Sequence, residues 1–199
     1  MTLWLQVRGA PTILVAIVIT LVGLALPGSS VAVTPSPAGA TLAAALFLAL
    51  AVPIAVGWGC ARGDPQLESV SGRPIYAFDL LLAVLAVGIT CGAALTMQQA
   101  GVTLTGSVAA RDVLVYLALM LLAYPLTGWR VATTIPAVYL LGVAVFGRGD
   151  DIYHPAGWAW IASDGGDPTS WVATVALLAV GVGAYLTIRP RMSGLPADD

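Results

Sequence analysis

The segment Gly63–Leu82, GDPQLESVSGRPIYAFDLLL, is the polar stretch around which the chain is organised, because long apolar runs lie on both sides of it. The dipeptide Asp64-Pro65 is typical of a helix start, since Asp caps free backbone N–H groups and Pro is tolerated at the first helical position. Leu67 and Val70, three residues apart, would share one face of the short helix that follows. The pattern predicts a short amphipathic helix that lies against a surface.

The second half of this segment predicts the start of an apolar helix. Gly72 is a helix stop signal, and Pro74 opens the next helix. Tyr76 and Phe78 fall where a membrane helix enters the headgroup layer. Asp79 is expected in the first turn of that helix, where the positive end of the helix dipole favours a carboxylate. We interpret Asp79 as a cap rather than as a proton carrier.

The composition predicts an integral membrane protein. Hydrophobic residues make up 59% of the chain and charged residues 9%, and the mean hydropathy is +0.93. These values are far outside the range of soluble globular domains. At roughly 20 residues per span, 199 residues allow about six spans with short connections. The predicted fold is therefore all-α: one polytopic membrane helix bundle, residues 1–199, of about six transmembrane helices.

The charged residues exclude several functions. The net charge is −2, from ten acidic residues and eight arginines, so the chain offers no basic surface for nucleic acid. The sequence contains no lysine. A P-loop lysine and Schiff-base chemistry are therefore excluded, and the chain does not bind ATP through a Walker motif of its own.

The apolar runs divide the chain into spans and connections. The six predicted spans cover residues 10–27, 40–59, 75–97, 112–126, 131–146 and 169–188. Among the connections, residues 28–39 and 98–110 are predicted external loops, and residues 127–130 are a predicted tight turn on the inner side. The first span could instead be a cleaved signal peptide, but it is longer than most such segments and five further spans follow, so we expect it to remain uncleaved. Prolines are predicted inside three spans, at Pro53, Pro125 and Pro136.

Arginine placement predicts the orientation. With a cytoplasmic N-terminus, six arginines fall inside and two outside, which satisfies the positive-inside rule. The six are Arg8, Arg62, Arg73, Arg130, Arg189 and Arg191; the two are Arg111 and Arg148. Asp112, next to Arg111, can neutralise it locally. This orientation places both termini, the loop 60–74 and the tail 189–199 in the cytosol and the loop 147–168 outside, in a protein of the cell membrane.

Tryptophans mark the predicted membrane interfaces. Trp4 and Arg8 are expected to anchor an elbow-like segment, residues 1–9, in the lipid headgroup layer. Trp158 and Trp160 are expected to anchor the external loop in the opposite interface. The lipid bilayer is thus one predicted partner, and these four residues are its predicted contacts.

The residues that carry catalytic or metal chemistry are scarce. His154 is the one histidine, so no imidazole pair can hold a catalytic metal. Turn formation and capping explain the aspartates of the last loop better than a calcium site, and Asp167-Pro168 repeats the helix-start signal. Cys60 and Cys91 are predicted at different membrane depths, which argues against a disulfide. We therefore predict no catalytic residue, metal or cofactor, and no enzyme activity.

The order of these features resembles the permease subunits of ABC-2-type exporters. The features are an N-terminal interfacial segment, six spans with cytoplasmic ends, and a first cytosolic loop that carries Leu67-Glu68 and then Ser71-Gly72-Arg73-Pro74 before a leucine-rich helix. The small size and the high alanine and leucine content are similar to those of permease-like membrane proteins of high-GC bacteria.

The resemblance implies a mechanical function. A separate ATPase subunit of the ABC type would dock on the loop between spans two and three, and a second copy or a homologous permease would complete the transporter. Leu67 and Val70 would supply apolar contacts to the ATPase, while Glu68 and Arg73 would supply orienting charges. The other interpretation of this loop is an ordinary amphipathic connector that packs on its own bundle or on the membrane surface. The alternative, from another class, is a membrane scaffold or regulatory subunit that transports nothing. An intramembrane enzyme is a distant third possibility, because the required nucleophile, base or metal ligands are missing.

Overall fold

The computed structural model describes residues 2–26, 30–32, 41–63, 75–147 and 156–187. Within these ranges the chain forms seven α-helices, one short antiparallel strand pair and one turn of 3-10 helix at Trp160–Ala162. The helices are α1 (Thr2–Val7), α2 (Ala10–Ala25), α3 (Ala44–Cys60), α4 (Ile75–Gln99), α5 (Gly106–Ala132), α6 (Ile135–Phe146) and α7 (Pro168–Thr187). The strands are β1 (Ser30–Ala32) and β2 (Thr41–Ala43), with Ser30 opposite Ala43.

Helices α2 to α7 run alternately in opposite directions between two ends of the bundle. One end, the Arg8 end, contains the start of α2 and the end of α3. The other, the Arg111 end, contains a cluster in which Leu24 of α2 packs with Ala45 of α3, Ala94 of α4 and Ala109 of α5. Helix α5 lies at the centre and packs against α3, α4, α6 and α7, while α2 packs mainly on α3.

The core between these helices is apolar and closely packed. Val52 and Val56 of α3 and Val113, Met120 and Leu121 of α5 are completely buried. The helices also present large apolar side chains on the outside of the bundle. Such a surface is the one that lipid tails cover in a membrane protein.

The membrane interpretation rests on this surface and on helix length. Leu14 of α2, Val138 of α6 and Val172 of α7 are more than half exposed. Helices α4, α5 and α7 are long and apolar enough to cross a membrane, and α2, α3 and α6 are shorter apolar helices. The predicted all-α bundle is confirmed, and its three long apolar helices are compatible with a membrane protein.

Two boundaries differ from the prediction at the Arg111 end. Helix α5 begins at Gly106 rather than at residue 112, and the predicted loop 98–110 shortens accordingly. The polar pair Arg111 and Asp112 is the reason, because the two side chains neutralise each other within the helix instead of marking its end. The strand pair β1–β2 was not predicted: β1 lies inside the predicted external loop 28–39, and β2 takes the place of the first residues of the predicted span 40–59, so that α3 begins at Ala44.

The turn predicted at residues 127–130 coincides with a break in helix geometry at Gly128. This residue has φ 72° and ψ 169°, a conformation that is essentially restricted to glycine. The prediction for Pro136 was wrong: this proline lies in the first turn of α6, where its missing N–H costs nothing. Pro53 and Pro125 lie inside α3 and α5 as predicted.

Candidate functional site

Arg8 joins three parts of the chain at the base of the loop that follows α3. Its side chain is 1% exposed, and its Nε lies 2.9 Å from Oδ1 of Asp79. Its Nη1 donates a hydrogen bond of 2.7 Å to the carbonyl oxygen of Cys60. Cys60 is the last residue of α3 and Asp79 lies near the start of α4, so one guanidinium holds both sides of the loop. We call these three residues the Arg8 clasp.

Close backbone contact supports the clasp. Gly9 has φ +69° and turns the chain between α1 and α2. Gly59 of α3 lies directly against the carbonyl oxygen of Arg8, and a Cβ at this position would collide with that oxygen. Glycine at position 59 therefore allows the N-terminal segment to reach the end of α3.

Aromatic residues hold the start of α4 from two sides. The ring of Trp4 in α1 meets the ring of Phe78 edge to face, with centroids 6.0 Å apart. On the other side the hydroxyl of Tyr185 donates a hydrogen bond of 3.0 Å to the carbonyl oxygen of Tyr76. Tyr185 also contacts the Tyr124 ring, with centroids 5.1 Å apart. The end of α7 is thereby connected to the same site.

Some of the predicted site residues lie in the described part of the chain and others lie outside it. The predicted coupling residues lie outside the described part of the chain, which lacks residues 64–74; they are Leu67, Glu68, Val70 and Arg73. The predicted interfacial anchors lie inside it. Trp4 and Trp160 are half-buried, and Trp158 is 45% exposed.

Arg8 and Asp79 form a contact that the sequence did not predict. The Arg8 side chain is buried in the bundle and pairs with Asp79. Asp79 lies just beyond the first turn of α4 and forms an ion pair, so it is not a simple helix cap. The sequence contains one signal for this pair: Asp79 lies within one apolar span, and Arg8 lies next to another apolar span. Charges inside a membrane bundle require partners, so these two residues are candidates to pair with each other.

A second polar centre lies at the opposite end of the bundle, around Arg111. This side chain is completely buried, and its Nε lies 3.2 Å from Oδ1 of Asp112. Its Nη2 donates to the carbonyl oxygens of Ile161 and Ser163, at 2.6 and 3.1 Å. Its Nη1 donates to Ser163 Oγ, the Asp164 carbonyl oxygen and Ser170 Oγ, at 3.1, 3.0 and 3.1 Å.

Arg111 therefore fastens the segment 156–167, which we call the docked segment, onto the bundle. Ile161 of this segment is completely buried. The Trp171 indole N–H donates to the Gly165 carbonyl oxygen at 2.9 Å, and the Tyr139 hydroxyl donates to the Trp158 carbonyl oxygen at 2.8 Å. The prediction of a loop at the membrane interface missed this docking, because no local pattern shows that Arg111 is buried.

The prediction that Asp167-Pro168 starts a helix is confirmed. Pro168 is the first residue of α7, and the Asp167 carboxylate accepts hydrogen bonds from the backbone N–H groups of Thr169 and Ser170. The hydrogen bond from the Thr169 hydroxyl, together with these backbone bonds, lowers the pKa of Asp167 below its ordinary value.

Chemistry at either polar centre is limited by its residue types. Among the described residues, no three His, Cys, Asp or Glu side chains come together to hold a metal ion. Cys60 and Cys91 are not joined by a disulfide bond. Both centres consist of an arginine, an aspartate and backbone carbonyls, an arrangement that fixes segments of chain together. No family model, curated protein or solved structure matches this chain.

Proposed function

We propose that this chain is the permease subunit of an ABC-type exporter, driven by a separate ATPase subunit that docks on the loop between α3 and α4. The Arg8 clasp is the observation that carries the proposal. A force applied to this loop acts on its two sides, and Arg8 connects both of them to the N-terminal segment. Movement of a docked ATPase would thus reach α1, α3 and α4 together.

In this proposal all six apolar helices α2 to α7 cross the membrane, with both termini in the cytosol. The alternating directions of the helices support six crossings, and the arginine distribution supports the orientation. The three shorter helices, of 12 to 17 residues, would cross with their ends near the interfaces.

A second permease copy or a homologous permease belongs to the same proposal. The core of the described bundle is filled by valine, alanine, leucine and methionine side chains. A polar substrate path within one copy is therefore not supported, and the path would run between two subunits. The same apolar core favours the second candidate, a membrane scaffold or regulatory subunit that transports nothing.

The experiment that separates the two candidates is affinity purification in mild detergent from the native host. The wild type is compared with the double variant Leu67→Asp, Glu68→Arg and with a control, Thr127→Asp, at an exposed position of the same end. The permease proposal expects a P-loop ATPase with the wild type and the control, and its loss with the double variant. If the wild type and both variants insert normally and no ATPase accompanies any of the three proteins, the permease proposal is dropped in favour of the scaffold.

A further inference from the structure

Asp112 is a buried carboxylate of which one oxygen has a partner and the other has none. Its side chain is 0% exposed, and Oδ1 accepts a hydrogen bond from Arg111 Nε at 3.2 Å. Oδ2 is buried without a hydrogen-bond partner among the described residues. A buried charged oxygen left without a hydrogen bond is unfavourable, and binding a proton removes its charge.

The groups around Asp112 supply one compensating charge. On α5 these groups are Arg111 and Tyr116, and on α6 the group is Tyr139, both tyrosines being close enough to interact with the carboxylate electrostatically. The Tyr116 hydroxyl donates to the carbonyl oxygen of Leu46 in α3, at 3.2 Å. Each tyrosine hydroxyl hydrogen is thereby used elsewhere, and neither satisfies Asp112.

The remaining neighbouring elements contribute acids or neutral groups. The docked segment carries Asp164, and Asp167 precedes α7. On α4 the Cys91 thiol donates to the Ala110 carbonyl oxygen at 3.3 Å. In the described part of the chain the arginines other than Arg111 belong to the Arg8 end or to the turn near Gly128, so Arg111 alone balances the Asp112 charge.

The guanidinium of Arg111 both balances the charge of Asp112 and holds the docked segment on the bundle. Five of its hydrogen bonds go to the docked segment and to Ser170, and the sixth goes to Asp112. A buried ion pair that loses one charge is strongly destabilised, because the other charge stays buried without compensation. The free energy that keeps Arg111 buried therefore depends on the charge of Asp112.

We propose that Asp112 is a proton-binding site and that its protonation releases the docked segment from the bundle. A proton from water adds to Oδ2, the carboxylate becomes a neutral carboxyl group, and the net charge of the pair rises from zero to +1. The lone guanidinium then favours water over the bundle, and the segment that it holds moves with it. The proposal does not depend on an ATPase partner.

The test is hydrogen exchange of the full chain in lipid nanodiscs over a range of pH, read by mass spectrometry and corrected for the intrinsic pH dependence of exchange. The probes are amides of the docked segment that are hydrogen-bonded, such as those of Ala162, Ser163 and Asp167. Acidification is expected to speed their exchange about tenfold in the wild type, while amides of α5 change little. Asp112→Asn, which mimics the protonated state, is expected to exchange fast at every pH.

Asp164→Asn and Asp167→Asn are matched controls, because they remove the two carboxylates of the docked segment itself and are expected to keep the pH response of the wild type. A wild type without pH response overturns the proposal, as does a response that Asp112→Asn retains. If Asp112→Asn does not fold, the two controls decide: a response that survives in both supports Asp112, and one that disappears in either assigns it to that other carboxylate.

Discussion

Each charged side chain in the bundle has a defined partner or lies at its surface. The described residues contain four arginines, of which Arg8 and Arg111 are buried and Arg62 and Arg130 exposed. Each buried arginine pairs with an aspartate, one pair at each end of the bundle. A membrane interior tolerates charges only when they are paired. The Arg8–Asp79 pair joins the N-terminal segment to α4, whereas the Arg111–Asp112 pair lies within α5.

The Arg8 pair is expected to be important for stability. Asp79→Leu leaves the buried guanidinium without its carboxylate and is expected to lower the free energy of unfolding by about 3 kcal/mol. The double variant Arg8→Met, Asp79→Leu is expected to lose less than the single variant, because no buried charge remains. Denaturation in detergent, followed by circular dichroism, measures the free energy of unfolding of the single and the double variant. The control is Arg130→Gln at an exposed position, whose free energy of unfolding is expected to lie within about 0.5 kcal/mol of the wild type. A single variant as stable as this control would contradict the expectation.

The Asp167 cap predicts a pH dependence of known sign. Hydrogen bonds from Thr169 and Ser170 lower the pKa of Asp167 in the folded chain. The charged carboxylate therefore stabilises α7, and this stabilisation is fully present at pH values above 3.8, the ordinary pKa of the group. That stabilisation is lost as the pH falls through the lowered folded value. Asp167→Asn keeps an acceptor without the charge, so its melting temperature is expected to lie roughly 1–3 °C below the wild type at neutral pH. The difference should close in acid, and a gap that widens there would rule out the cap.

At the scale of elements, the helices could be predicted and their contacts could not. Apolar runs with proline and glycine boundaries predicted α2, α4 and α7 to within a few residues, because helix formation in a membrane follows local hydrophobicity. The prediction failed where a polar residue is buried by a distant segment. Arg111 was read as part of a loop because Ile161 and Ser170, which bury it, are remote in sequence.

Close packing of α7 on α5 depends on one of two neighbouring glycines. A Cβ at Gly181 would lie 2.6 Å from the carbonyl oxygen of Ala118, whereas a Cβ at Gly183 would meet no atom within 4 Å. Gly181→Ala is therefore expected to lower the free energy of unfolding by about 1–3 kcal/mol. Gly183→Ala in the same helix is the matched control, expected to be neutral or to gain up to about 1 kcal/mol from helix propensity. The same denaturation assay compares the two variants. Equal changes in the free energy of unfolding would contradict the conclusion that close packing of α7 on α5 requires glycine at position 181.

At the scale of the whole molecule, the two polar centres lie at opposite ends of an apolar bundle. The Arg8 clasp ties the N-terminal segment to α3 and α4, and Arg111 ties the docked segment to α5 and α7. The sequence indicated a functional loop between α3 and α4, but the clasp at its base is made by residues from three separate parts of the chain. Long-range pairing of this kind leaves no local pattern.

The proposal of six membrane crossings is tested most directly at α6, which has 12 residues and is the shortest of the apolar helices α2 to α7. If α6 crosses, the turn that contains Thr127 and the docked segment that contains Gly157 lie on opposite sides of the membrane. If it does not, they lie on the same side. Leu104 lies at the other end of α5 and is 92% exposed. In a topology in which α5 crosses, as its length allows, Leu104 lies on the side of the membrane opposite Thr127.

Single cysteines at these three positions, in a chain with Cys60 and Cys91 replaced by alanine, can be labelled with a membrane-impermeant maleimide. We expect Leu104→Cys and Gly157→Cys to react from the same side and Thr127→Cys to react only after the membrane is opened. The positive-inside rule places Thr127 in the cytosol, next to Arg130. Labelling of Thr127→Cys and Gly157→Cys from one side would show that α6 does not cross, and the six-span topology would then be wrong.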